Sequence, residues 1–187
     1  VQTRTGFRWD VFGTFTKNTS LVKEIFPGTD QINTGNGING MTVVAAVGKP
    51  YGTFYTNGYL RSPDGRIVVD SSTGRPKIDT RGNLYFGTYQ PDFMASWGTT
   101  LSYKGLSLYV VFDMKQGGQF FSRTRDLLAF VGTSKETEKR DPYVWENSVY
   151  QGSDGGYYTN TTKFDPYDFY TTQAGRPNEF QLIDASY

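Results

Sequence analysis

"FMASWGTTLSYKGLSLYVVFDMKQ", residues 93–116, is two apolar-polar alternations joined at Lys104-Gly105. In the first run Phe93, Ala95, Trp97, Leu101 and Tyr103 alternate with Ser96, Gly98, Thr100 and Ser102. In the second, Leu106, Leu108, Val110, Phe112 and Met114 alternate with Ser107, Tyr109, Asp113 and Lys115. A period of two belongs to strands with one apolar face. A two-residue turn at Lys104-Gly105 would set Tyr103 opposite Leu106, Leu101 opposite Leu108, Trp97 opposite Phe112 and Ala95 opposite Met114. Cross-strand partners share a face, so this register joins apolar to apolar, and a slip by one residue would mix the faces.

A third run of the same kind is "GFRWDVFGTFTK", residues 6–17. Phe7, Trp9, Val11 and Phe15 fall on one side and Arg8, Asp10, Thr14 and Thr16 on the other; Phe12 breaks the alternation. Strands are therefore expected near 7–17, 93–103 and 106–115, with loops over 19–92 and 117–180. Runs of roughly 9–11 residues are what a tilted strand needs to cross a bilayer; strands of soluble proteins are commonly about 5–6. Alternation alone leaves two architectures open, a membrane barrel and a soluble sandwich.

Composition narrows the chemistry. The 187 residues include 22 Gly, 14 Tyr and 14 Phe, which favours an all-β chain rich in turns. The net charge of +1 carries no basic excess for phosphate, so nucleic acid is not an expected partner. The chain has no Cys and no His, which removes disulfides, thiolate sites, His-ligated metals and a Ser-His-Asp triad within it. The opening residues show no leader peptide, and the longest uncharged apolar stretch, "MTVVAAVG", is too short to span a bilayer as a helix.

The long connections hold weaker signals. Ser62-Pro63-Asp64-Gly65 suits a tight reversal between "YLR" and "RIVVD". "QFFSRTRDLLAFVG" reads as a short amphipathic helix. "GNGING", residues 35–40, matches G-x-G-x-x-G but lacks the strand before and helix after that nucleotide binding requires. Asp154, Asp165, Asp168, Glu179 and Asp184 could in principle supply a glycosidase pair or a calcium site in the loops, although no EF-hand spacing is present. Tyr143, Trp145, Tyr150, Tyr157, Tyr158, Tyr167 and Tyr170 crowd one region. They read either as loop packing or as a contact surface for a ligand or partner.

An ordered series of motifs resembles the late barrel region of SusC/RagA-type TonB-dependent outer-membrane transporters of Bacteroidetes. Gly48, Pro50 and Gly52 fit a G-x-P-x-G element, and Pro91-Asp92-Phe93 fits an N-P-D-[FW] element with Gln90 in place of Asn. Tyr103-Lys104-Gly105-Leu106-Ser107-Leu108 fits Y-K-G-[FL]-S-L, Gly117-Gly118 follows as in the family, and "DASY" resembles the entry to its next strand. The resemblance implies an antiparallel segment of a barrel of about 22 strands with long extracellular loops, in the bacterial cell outer membrane, importing glycan fragments or peptides. It implies a SusD-like surface lipoprotein as partner, and TonB acting through a plug and TonB box that are not in these 187 residues. No catalytic residue, cofactor or metal is then expected. Trp9, Trp97, Leu101, Leu108 and Phe112 would face lipid, and Arg8, Asp10, Ser96 and Asp113 the lumen. The alternatives are a soluble extracellular β-sandwich that binds carbohydrate and, third, a glycan-cleaving enzyme using the loop carboxylates.

Overall fold

The computed structural model describes residues 6–35, 37–171 and 176–187. It is mostly β-sheet, and its sheets are open. Three long strands form one sheet in the order β1-β7-β8: β1 (Arg8–Thr16), β7 (Phe93–Tyr103) and β8 (Leu106–Gln116). The hairpin has the expected register, Tyr103 opposite Leu106, Trp97 opposite Phe112 and Ala95 opposite Met114. Its turn places Lys104 at φ 47° and Gly105 at φ 86°, the paired left-handed conformation that matches the twist of a two-residue hairpin. Strand β1 adds antiparallel to β7, with Trp9 opposite Leu101 and Phe15 opposite Ala95.

Phe12, out of phase in the sequence, lies opposite Gly98 on the second face of this sheet. Its ring occupies the place a Cβ on Gly98 would take and stacks toward Tyr109 at 6.4 Å. The glycine is thus buried by an aromatic from the adjacent strand, and the break in alternation is a packing device rather than a register fault.

The stretches 19–92 and 117–180, expected as loops, fold into a head at the end of the sheet away from the Lys104-Gly105 turn. β2 (Gln31–Asn33), β3 (Thr42–Ala46), β4 (Thr53–Thr56) and β6 (Leu84–Thr88) make a four-stranded antiparallel sheet. β5 (Ile67–Val69) pairs parallel with β11 (Ser148–Gln151), and β11 pairs antiparallel with β12 (Tyr157–Thr159). The parallel pair departs from the purely antiparallel architecture expected. Two further antiparallel pairs join β10 (Tyr143–Val144) to β13 (Lys163–Phe164) and β9 (Gln119–Phe121) to β14 (Leu182–Asp184). The strands are short, and most of β3 and β4 is covered on both sides, so no period of two betrays them. The Ser62–Gly65 reversal is present, closed by Gly65 N–H to the Ser62 carbonyl at 2.8 Å, with Arg61 opposite Ile67.

Helix α1 (Arg123–Phe130) falls where expected, capped by Ser122 Oγ accepting from Arg125 N–H at 3.2 Å. Its amphipathicity is inverted. Asp126 and Ala129 are buried, whereas Leu127, Leu128 and Phe130 are exposed. The reason lies far along the chain: Arg176, also buried, donates to Asp126 Oδ1 from Nε at 3.1 Å and from Nη2 at 2.9 Å. Its Nη1 reaches the carbonyls of Phe169 and Tyr170 in α2 (Pro166–Thr171). Arg123 closes the other side of Asp126. The pair ties both helices to the C-terminal segment.

The apolar core of the head has two parts. Tyr59, Ala129, Phe164, Phe169, Tyr170 and Phe180 form one, and Met41, Phe54 and Leu182 the other. Removing one partner of a buried ion pair strands the other charge, at a cost of about 3–5 kcal/mol. Asp126→Ala should therefore lower the denaturation midpoint of the head, followed by Trp145 fluorescence, by that order. Replacing Asp126 and Arg176 together by Leu and Met should recover most of the loss.

Candidate functional site

Two surfaces stand out, one on the long sheet and one in the head. On the sheet, β1 is exposed along its whole length and β8 nearly so. The register lines up Trp9, Leu101 and Leu108, then Val11, Thr99 and Val110, then Trp97 and Phe112, then Phe15, Ala95 and Met114, all on one face. Trp97 is 47% exposed, Phe112 59% and Leu108 57%, while Leu101 is half-buried between its neighbours. Trp97 stacks on Phe112 at 5.5 Å and Phe15 on Phe93 at 5.6 Å, and Trp9 Nε1–H donates to Thr99 Oγ1 at 2.7 Å. A run of large apolar side chains this long far exceeds the scattered exposure usual on a soluble monomer.

The opposite face carries Arg8, Asp10, Ser96 and Asp113. Arg8 Nε donates to Asp10 Oδ2 at 2.6 Å, Ser96 Oγ–H to Asp113 Oδ1 at 2.5 Å, and Ser102 and Ser107 share a hydrogen bond of 2.8 Å. The face is mixed rather than uniformly polar, because Phe12, Met94, Tyr109 and Val111 lie on it as well.

At the head end of the sheet, Gly117 and Gly118 take φ 73° and 78° and turn β8 into β9. A Cβ on Gly118 would press on the Tyr89 and Gln90 carbonyls, so the close approach itself calls for glycine. From β14 the chain runs back along β8. Ala185 N–H donates to the Gly118 carbonyl at 3.0 Å, and Lys115 and Tyr187 exchange two backbone hydrogen bonds of 2.9 and 3.0 Å. Among the described residues, the rest of the outer edge of β8 and the outer edge of β1 pair with no strand.

The loop aromatics divide. Tyr143 and Trp145 pack on the head core, with Trp145 5.2 Å from Phe164 and 5.3 Å from Phe169, and Tyr170 is part of that core. Tyr150, Tyr157 and Tyr158 sit on the β11–β12 hairpin, Tyr150 and Tyr158 ring to ring at 5.7 Å. Tyr167 is exposed on α2. Three of the five loop carboxylates are taken up locally, whereas Glu179 bonds the distant Tyr59 and Arg61. Asp154 accepts from Gly156 N–H and Tyr158 Oη–H, Asp165 from Tyr167 N–H at the start of α2, and Asp184 from Ser186 N–H. Among the described residues no three potential metal ligands come together. Of the glycine-rich stretch, Asn36 lies outside the described residues; Asn39 and Gly40 make a turn into β3, not into a helix.

A cleft of about 470 Å³ in the head brings Tyr143, Trp145, Tyr170 and Glu179, named from the sequence, together with residues that sequence reasoning passed over. Tyr59, Arg61 and Ile67 line one side, Arg125 and Glu136 another, and Tyr143, Trp145, Glu146 and Glu179 the remainder. Glu179 accepts from Tyr59 N–H at 2.8 Å and from Arg61 Nη2 at 2.5 Å, and Arg125 holds Glu136 through two bonds of 3.0 Å. Burial, and then the charge of Glu179, push the Tyr59 hydroxyl well above the ordinary tyrosine range. Tyr170 is raised first by burial and then by Tyr143. Both stay neutral O–H groups in any biological medium. The wall bearing Tyr59 is anchored from behind, where Asp79 N–H bonds the Gly58 carbonyl and Tyr59 bridges to Ile78.

No protein-family model matches the chain, and no curated protein matches it by sequence.

The Asp79 carboxyl is almost fully covered and grips Arg81, whose hydrogen bonds hold it down to about 2. The unfolded value is about 3.9. A depressed folded value contributes stability that is complete above the unfolded one and drains away as pH falls through the folded one. The denaturation midpoint of the head should thus fall between about pH 4 and pH 2. Asp79→Asn should make that fall shallower, as read from a midpoint-against-pH series.

Proposed function

We propose that the chain is part of the wall of an outer-membrane β-barrel transporter of the SusC/RagA type, importing glycan fragments or peptides. The observation that carries this reading is the bare apolar ribbon of β1, β7 and β8. Eleven residues at about 3.4 Å each, tilted as barrel strands are, cover roughly the 25–30 Å of a hydrocarbon layer. Lipid tails would cover Trp9, Trp97, Leu101, Leu108 and Phe112, and the Arg8–Asp10 and Ser96–Asp113 pairs would line a watery lumen. A soluble sandwich would lay a second sheet over Trp97 and Phe112, and among the described residues none lies there.

The asymmetry of the ends supports the same reading. One end of the sheet closes in two residues, and the other opens into the folded head, as barrels have short periplasmic turns and long outer loops. Open edges are not tolerated in lipid, so β1 and β8 require neighbouring strands, and the Lys115–Tyr187 pairing starts one along β8. In this reading the head faces outward, where a SusD-like lipoprotein and the nutrient would meet it. TonB would act through a plug outside these residues. Transport of this kind makes and breaks no bond, and no catalytic residue is assigned.

A graded arginine scan tests the lipid face. Charge on a barrel's lipid face costs about 2–4 kcal/mol at the midplane and about 0–1 near the interface. Leu106→Arg beside the turn should be nearly neutral, Leu108→Arg intermediate, and Val110→Arg at mid-strand the most costly. The scan is read by denaturant titration of the whole protein in lipid vesicles. A flat response along β8 would remove the membrane reading.

A further inference from the structure

We propose that the hollow between the C-terminal end of α1 and the start of α2 is a binding site for a small apolar carboxylate, an acid group carried on one ring or a short hydrocarbon chain. It is a different place in the head from the cleft described above, although Tyr170 stands at both. The inference does not rest on the transport reading.

Size and lining set the body of the ligand. The hollow has a volume of about 140 Å³. An apolar cavity of roughly 150 Å³ accepts benzene, so there is room for one ring and none for an oligosaccharide. Ala129, Pro166 and Tyr170, all buried, make the floor, and Phe130, Val131 and Tyr167, all exposed, the walls. The inverted packing of α1 is what leaves these walls bare: the buried Asp126 takes the inward side of the helix, and Phe130 and Val131 stay in reach of solvent. The two threonines of the lining spend their hydroxyl protons on backbone, Thr137 on the Ser134 carbonyl at 2.7 Å and Thr171 on the Tyr167 carbonyl at 2.8 Å. A ligand rich in hydroxyls would find few partners there.

Charge sets the head group. Lys139 and Arg140 stand exposed at the rim, and among the described residues no carboxylate lines the hollow. Elsewhere in the head, Arg61, Arg66, Arg81, Arg125 and Arg176 each hold a carboxylate. Lys139 and Arg140 are instead placed by uncharged partners. Lys139 Nζ lies 4.4 Å from the centre of the Tyr143 ring, and Arg140 Nη2 donates to the Gly132 carbonyl at 3.2 Å. Glu138 and Asp141 flank them in the chain, yet among the described residues neither pairs with them and neither lines the hollow. The bond to Gly132 uses one of the five N–H groups of the guanidinium, whose planar fork matches a carboxylate. A neutral apolar ligand would strip water from both cations and return nothing, whereas a carboxylate replaces that water with charge-assisted hydrogen bonds.

The test is isothermal titration of the full protein in non-ionic detergent at pH 7 and low salt, with empty micelles as the blank. The probes are benzoate and phenylacetate, against benzyl alcohol and benzylamine. At least one acid should bind saturably and about tenfold more tightly than the alcohol or the amine, the margin a hydrogen bond to a charged group implies. Arg140→Gln and Lys139→Gln should each narrow the gap between acid and alcohol. Lys139→Gln leaves the Gly132 bond in place, so it reads the charge without disturbing the end of α1. Val131→Glu, at a side chain 62% exposed, should abolish acid binding with the unfolding midpoint unchanged. No saturable binding of either acid, an alcohol or amine bound as tightly as the acids, a gap unmoved by both rim substitutions, or acid binding that survives Val131→Glu would each overturn the assignment.

Discussion

A strand that shows water an unbroken line of tryptophan, phenylalanine and leucine must have something else against it, and this constraint orders the rest of the molecule. The β1-β7-β8 sheet has no core of its own. Among the described residues its apolar face is uncovered, its second face carries hydrogen-bonded polar pairs, and its edges are open save for the contact at Lys115. Backbone pairing and cross-strand stacking hold it together internally, but the apolar transfer term, about 1.5–3 kcal/mol for each large side chain, is realised only against an apolar neighbour. In the membrane reading proposed above, hydrocarbon would supply that neighbour along the whole length of the ribbon at once, which a protein partner would have to match strand by strand.

The head obeys the opposite solvent logic. Its short strands and helices bury aromatics inward around Phe164 and Phe169, with the buried Asp126–Arg176 pair as the polar exception at α1. With no cysteine to cross-link it, long-range polar contacts hold its distant segments together. Arg176 joins both helices through Asp126, and Glu179 fastens the 57–61 segment through Tyr59 N–H and Arg61. The joint between the two regions is the glycine pair at 117–118. There β8 becomes β9, and β14 returns alongside it, so the ladder of hydrogen bonds crosses from sheet to head without a flexible linker.

How much of this was legible depended on the range of the interaction. The β7–β8 hairpin was readable to the residue, because period-two alternation and a two-residue turn are local and over-determine the register. Phe12 looked like an error of pattern, since its reason, the empty position at Gly98, belongs to another strand. The site of α1 was legible from its cap and periodicity, but not its buried face: Asp126 turns inward for an arginine fifty residues on. The parallel pairing of β5 with β11 joins segments about eighty residues apart, and no local pattern announces it. The loop tyrosines were visible as a cluster, yet composition could not separate Tyr143, Trp145 and Tyr170, which build the core, from Tyr157, Tyr158 and Tyr167, which are exposed. The walls of the cleft went unseen because Tyr59 and Arg61 come from one connection and Arg125, Glu136 and Glu146 from another.

That last division bears on how such a cleft can arise. The cleft sits between two excursions from one sheet, each closed at its base by strands long enough to keep their register without it. Loop segments so anchored can change their facing side chains with little effect on the ribbon below, as binding residues on loops over rigid scaffolds commonly do. The polar cross-links then have a second role. Arg61–Glu179 ties the first excursion to the second, and Arg125–Glu136 braces the second internally. Paired charges at its margin also oppose closure of the cleft, because the solvation of their outer edges is lost if it closes dry.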